Sequence, residues 1–246
     1  MPERSNMTDV PLGVIFDMDG VLVDSAEAHY KAWRLLGEEV GTFHPLELFR
    51  KTFGMHNREI IPLWLGPGLP PDEVERLSVR KEALYREVAA STLRPLDGAL
   101  ELVEDLVREG FLLAVGSSGP QENVELALGI LGVRKHFAAF STAGDVSQGK
   151  PHPEVFLKAM EKLGLVPSCC AVIEDAPQGV EAGLRAGARV IGVASTRHPS
   201  ELMGAHLVVG SLREIDAGRV RRLIEVVAPA GHRAASSGGS ACGCGS

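Results

Sequence analysis

Along the second half of the chain, short apolar runs alternate with stretches whose apolar residues recur at helical spacing. Helix 97–109 (DGALELVEDLVRE) leads into the strand FLLAVG, helix 121–131 into FAAFS, helix 153–163 into CAVIE, and helix 177–186 into RVIGV. The short run HLVVG then precedes a final helix. Alternation of this kind implies parallel strands joined by crossover helices. Near the start, Val14, Ile15 and Phe16 form an unbroken run of β-formers within residues 12–17, the pattern of a strand buried on both faces.

Between that first strand and the later ones the period is helical. In SAEAHYKAWRLLGEEVG, His29, Trp33, Leu36 and Val40 fall on one face, and Ser25 is placed as the N-cap. HPLELFRKTF follows, then NREIIPLWL with Pro62 near its first turn, then PPDEVERLSVRKEALYREVAA, whose two prolines suit a helix start. No strand is predicted from residue 25 to about 94, so the strand at 12–17 must reach its sheet across a helical insertion. The predicted fold is α/β: a doubly wound parallel, Rossmann-like sheet built from 11–24 and 95–228, with an inserted helical cap over 25–94. The ends, 1–10 and 229–246, are expected to be disordered. The tail APAGHRAASSGGSACGCGS is small and polar and lacks the apolar surface to fold.

Composition narrows the partners. With 45% hydrophobic residues among 246 the chain can bury a core, and a net charge of −7 without a long basic run disfavours nucleic acid and anionic membranes. A protein for small molecules is expected, as a monomer or small homo-oligomer. No apolar stretch approaches the roughly 20 residues that span a bilayer, and MPERSNMTDV lacks the apolar core of a signal peptide, so the expected location is cytoplasmic. Cys169 and Cys170, adjacent in a strand-like run, read as inert buried thiols, and Cys242 and Cys244 as exposed ones in the tail. Neither pair resembles a disulfide framework, and a CxC without partner ligands is a poor metal site.

In an open parallel sheet, ligands bind beyond the carboxyl ends of the strands. GVIFDMDGVLVDS puts Asp17 at such an end and, if the chain stays extended, Asp19 on the same side. A solvated turn explains the same residues. A calcium loop does not, because Gly20 comes at the fourth position instead of the sixth and a strand precedes it. The other strand ends supply Ser117 and Ser118, then Lys150 ahead of a helix, then Glu174 with Asp175. Taken singly these are a helix entry, a surface lysine and a helix cap. Together, four carboxylates, a lysine and a hydroxyl pair from separate strand ends point to one site. GDVSQGK, residues 144–150, fits the skeleton of a P-loop, but Pro151 offers neither a hydroxyl for magnesium nor an N–H for phosphate. No G-x-G-x-x-G follows a strand to hold a dinucleotide.

DMDGVLVDS, GSSG, GKPHPEVF and IEDAPQGVEAG, in this order and spacing, resemble the four motifs of the haloacid dehalogenase superfamily, and the whole resembles its β-phosphoglucomutase-like phosphatase branch. An aspartate at the position of Asp19 is what the family's phosphatases and phosphomutases carry. The resemblance implies a phosphatase of small phosphorylated metabolites, sugar phosphates among them, with a β-phosphoglucomutase-type mutase as the alternative. It implies Asp17 as the nucleophile that forms an aspartyl phosphate, Asp19 as general acid and base, and Ser117 and Lys150 as phosphate-binding groups. Mg2+ would be held by Asp17, the backbone carbonyl of Asp19, Asp175 and Glu174. For substrate, it implies Ser118 in the core and His29, Lys81 and Arg58 in the cap. His29 also has the position of a partly buried histidine packing beside Trp33. The spacing of GMHNREI sets Arg58 one residue away from the mutase's phosphate-clamping arginine.

Overall fold

The computed structural model describes residues 11–226; the readings of residues 1–10 and 229–246, and of Cys242 and Cys244, lie outside them. The first apolar run forms β1 (Gly13–Phe16), buried along its length. Pleating divides it: Val14 and Phe16 enter one apolar layer and Ile15 the other. After a turn and a two-residue strand, β2 (Val23–Asp24), come four helices: α1 (Ala26–Glu39), α2 (Leu46–Thr52), α3 (Asn57–Leu65) and α4 (Pro71–Thr92). The chain returns through β3 (Arg94–Pro95), which pairs antiparallel with β2, so a small ribbon ties the two crossings together. The ribbon takes in Arg94, within the stretch where no strand is predicted; two residues of β-structure are too few to register as a period.

From there helix and strand alternate: α5 (Ala99–Arg108), β4 (Leu112–Gly116), α6 (Gln121–Leu131), β5 (Phe137–Ser141), α7 (Glu154–Leu163), β6 (Cys170–Glu174), α8 (Pro177–Arg185), β7 (Arg189–Val193), β8 (Leu207–Val209) and α9 (Ala217–Glu225). The strands form one parallel sheet in the order β5-β4-β1-β6-β7-β8. Leu102, Val124 and Val220 from α5, α6 and α9 pack in the layer of Val14 and Phe16, whereas Phe156 and Val180 from α7 and α8 pack in that of Ile15. Both faces are therefore covered, as the doubly wound reading requires. The order reverses beside β1, and the crevice at the carboxyl ends of β1 and β6 is where such sheets bind ligands.

Three local readings change. Ser25 stands at the N-cap position of α1 but its side chain makes no capping bond. Pro62 lies inside α3, beyond its first turn, and its missing N–H deprives the carbonyl of the exposed Arg58 of its i+4 donor. Cys170 is buried, but Cys169, just before β6, is half-buried. Among the described residues, no helix is long and apolar enough to cross a membrane.

Candidate active site

Asp17 follows β1 directly, its backbone N–H bonded to the carbonyl of Ile173 on β6 at 2.9 Å. This joins the ends of the two central strands. Lys150 reaches between them: its Nζ donates to Asp17 Oδ1 at 2.5 Å and to Glu174 Oε1 at 2.6 Å, with all three side chains buried. The other oxygen of Glu174 accepts the N–H groups of Asp175 and Ala176 at 2.9 and 3.0 Å. Asp175 is bonded by the hydroxyl of Thr196, beyond the end of β7.

Two glycines make room for these carboxylates. Gly20 has φ +81°, and a Cβ there would lie 2.3 Å from Asp175 Oδ2. A Cβ on Gly179, in α8, would lie 1.8 Å from Glu174 Oε1. Any larger side chain at either position would push a carboxylate out of place.

The chain does not stay extended after Asp17. Leu22 and Val23 donate to the carbonyl of Met18 at 2.9 and 3.1 Å, and Gly20 donates to Val23 at 2.8 Å, closing a tight turn around a buried Met18. Both aspartates still line one narrow cavity with Ser118, Lys150, Glu174 and Asp175. Their carboxylates answer to different partners. Asp19 Oδ1 accepts Ser25 Oγ at 2.6 Å and lies 3.0 Å from His29 Nε2. Ser25 is thus diverted from capping α1 to holding Asp19.

The electrostatics differ accordingly. Burial, followed by the negative neighbours Glu174 and Asp19, pushes Asp17 up to about 7 against the pull of Lys150. Burial and then Glu174 and Asp17 push Asp175 well above the carboxylate range. Burial would lower Lys150, but the carboxylates of Asp17 and Glu174 more than offset it and hold the ammonium above its ordinary value. Asp19 goes the other way: burial raises it, yet His29, Ser25 and Lys81 together hold it below the carboxylate range.

Asp17, Glu174 and Asp175 each offer an oxygen within 4.8 Å of the others. An all-oxygen, buried cluster whose carboxylates disfavour one another's charge suits a hard divalent cation. The carboxylate of Asp19, engaged by Ser25 and His29, is outside this cluster.

Ser117 Oγ accepts the N–H of Gly119 at 3.0 Å and keeps its own proton free to donate. Ser118 Oγ is buried without a partner, on a residue lining both the narrow cavity and a larger cleft between cap and core. That cleft, about 270 Å³, is also lined by His56, Asn57, Arg58, Arg86 and Glu122. Arg58 borders it and is paired at 3.0 Å with Glu75, which lines the same cleft, both side chains being more than half exposed. Lys81 is buried, and its ammonium is engaged by His29 Nδ1 at 2.7 Å and Glu82 Oε1 at 2.9 Å. His29 is stacked on Tyr85 with ring centroids 3.9 Å apart.

The sequence reading passes over Thr196, Glu82 and Asn123. Thr196 stands past a strand end, so the criterion that selected Ser117 and Glu174 would have found it. Glu82 has no such signal, because a Lys-Glu pair on a helix looks like solvated surface.

Residues 12–187 match the haloacid dehalogenase-like hydrolases. The chain is 32% identical over 216 residues to the chloroplastic 5-amino-6-(5-phospho-D-ribitylamino)uracil phosphatase of Arabidopsis thaliana, covering 87% of this chain and 58% of that protein. It thus spans less than two thirds of the plant protein's length. It is 33% identical over 181 residues to the phosphorylated carbohydrates phosphatase of Thermotoga maritima, covering 73% of this chain and 84% of the relative. The fold matches the crystal structure of β-phosphoglucomutase from Clostridium difficile with a TM-score of 0.78 at 27% identity, over 88% of this chain and 98% of the other.

Proposed function

The chain belongs to the haloacid dehalogenase-like hydrolases, and on that premise we propose that it is a magnesium-dependent phosphatase of small phosphorylated metabolites, sugar phosphates among them, working through an aspartyl phosphate on Asp17. The observation that supports this most is the division of labour between two nearby carboxylates. Asp17 sits in the buried cluster with Lys150, Glu174 and Asp175, while Asp19 is held apart by Ser25 and His29.

In this reading Asp17 attacks phosphorus, and Asp19 delivers a proton to the departing alkoxide. At rest Asp19 is held as carboxylate, but a phosphate dianion bound beside it drives its pKa upward and makes it an acid for this step. Water then attacks the aspartyl phosphate, giving its proton to Asp19, and inorganic phosphate leaves. Lys150 and the hydroxyls of Ser117 and Ser118 bind the phosphoryl oxygens. Asp17, Glu174, Asp175 and the Asp19 carbonyl would hold magnesium, which when bound supplies the positive charge that lets carboxylates and a phosphate dianion share the site.

The likeness to β-phosphoglucomutase favours a second reading, a phosphosugar mutase. A mutase must grip a second phosphate while the first reacts. Arg58 is paired with Glu75 on the lining of the cleft, which sets a carboxylate beside any second phosphate and supports hydrolysis over isomerisation. The test is phosphate release from a panel of phosphate esters, with magnesium and with chelator. Magnesium-dependent release from at least one small ester is expected; none from any would overturn the reading.

A further inference from the structure

Behind Asp19 runs a chain of polar contacts that ends on the other side of the cap–core seam. His29 Nε2 lies 3.0 Å from Asp19 Oδ1, and His29 Nδ1 lies 2.7 Å from Lys81 Nζ. An ammonium has three donors and no acceptor, so Nδ1 must accept, and the ring proton resides on Nε2 and points at Asp19. Lys81 is held there by Glu82 Oε1 at 2.9 Å, which also accepts Asn57 Nδ2 at 2.6 Å. The second oxygen of Glu82 accepts Asn123 Nδ2 at 2.5 Å. Asn123 is fully buried on α6, a helix of the core, and its own oxygen accepts Arg86 Nη1 from α4 at 2.9 Å.

Glu82 is a buried carboxylate, and burying one is costly unless every lone pair is satisfied. An apolar residue packed between cap and core would hold the two together without that cost. What the carboxylate adds is orientation of the donors around it. We propose that Glu82, completed from the core by Asn123, is a positioning residue for the acid–base step: it aims Lys81, which fixes the proton-bearing nitrogen of His29, which aims Asp19. The set is complete only where α4 of the cap meets α6 of the core. This rests on the reading of Asp19 as acid and base.

The test compares leaving groups. An alkoxide needs a proton as it departs, whereas p-nitrophenolate leaves without one. First-turnover rates are measured by rapid quench for p-nitrophenyl phosphate and for the best sugar phosphate of the ester panel, with magnesium, in wild type, Glu82→Gln and Asn123→Ala. In Glu82→Gln the ratio of the sugar-phosphate rate to the p-nitrophenyl rate should fall tenfold or more, and in Asn123→Ala about threefold. A thermal melt of each variant checks folding, and if Glu82→Gln does not fold, Asn123→Ala, altered on the core side, carries the test. An unchanged ratio, whether both rates fall together or neither does, overturns the positioning role. Wild type that releases phosphate from neither ester removes the phosphatase reading as well, so the two failures are distinguishable.

Discussion

At the sheet edge, Lys150 bridges Asp17 and Glu174 at 2.5 and 2.6 Å, and burial among acids lifts Asp17 to about 7. In the cap, His29 and Ser25 hold Asp19 below the carboxylate range. One region crowds like charges, which suits a cation; the other supplies donors to a single carboxylate. Neighbouring aspartates in one tight turn thereby acquire different chemistry from their surroundings alone, which under the proposed function suits one to be the nucleophile and the other the proton carrier.

The largest expected effect breaks the first region. Asp17→Asn should lower phosphate release by 10³-fold or more with an unchanged melting curve, because the amide is nearly isosteric but a poor nucleophile. Retained turnover would remove Asp17 from that role. Next in size is the cation. Chelator should abolish release and magnesium restore it, while calcium, which prefers a larger and looser shell, should inhibit; full activity in chelator would contradict the cluster as a metal site.

A third experiment sharpens the role of the cap. With β-glucose 1-phosphate and a sugar bisphosphate primer, inorganic phosphate should be the main product, read by ³¹P NMR. Conversion to glucose 6-phosphate with little free phosphate would favour the mutase instead.

The smallest effect concerns stability and contrasts two histidines of the cap. His29 has a carboxylate partner; His44 is fully buried, stacked on Trp33 at 4.8 Å and edge-on to Trp64 at 4.9 Å, with neither ring nitrogen bonded. Burial, against an opposing pull from the Pro45 backbone and with a smaller push from Lys81, takes His44 down to about 4. The unfolded chain, with an ordinary histidine pKa near 6.5, binds the proton first, so the contribution of neutral His44 is complete above about pH 6.5 and is lost as pH falls toward 4. That loss is about 3 kcal/mol at most. Urea midpoints measured from pH 7 to pH 4 should show it, and His44→Phe should flatten the slope; an equal slope in both proteins would assign the acid sensitivity elsewhere.

Much of the core is legible in the sequence alone. Val14, Ile15 and Phe16 announce a two-faced strand, β4 to β7 each follow a helix of matching period, and polar residues past the strand ends gather around Asp17. The reason is local: period and termination are written in consecutive residues, and a parallel sheet brings all its carboxyl ends to one edge. Packing decided what lies across the cap. That Ser25 serves Asp19 instead of capping its helix, that Arg58 faces Glu75, that Lys81 meets His29 from 52 residues away and Glu82 meets Asn123 from 41, depends on how helices cross and where the cap rests. A charged residue on a helix carries the same letter whether it faces water or a buried partner, and only the tertiary structure selects between them.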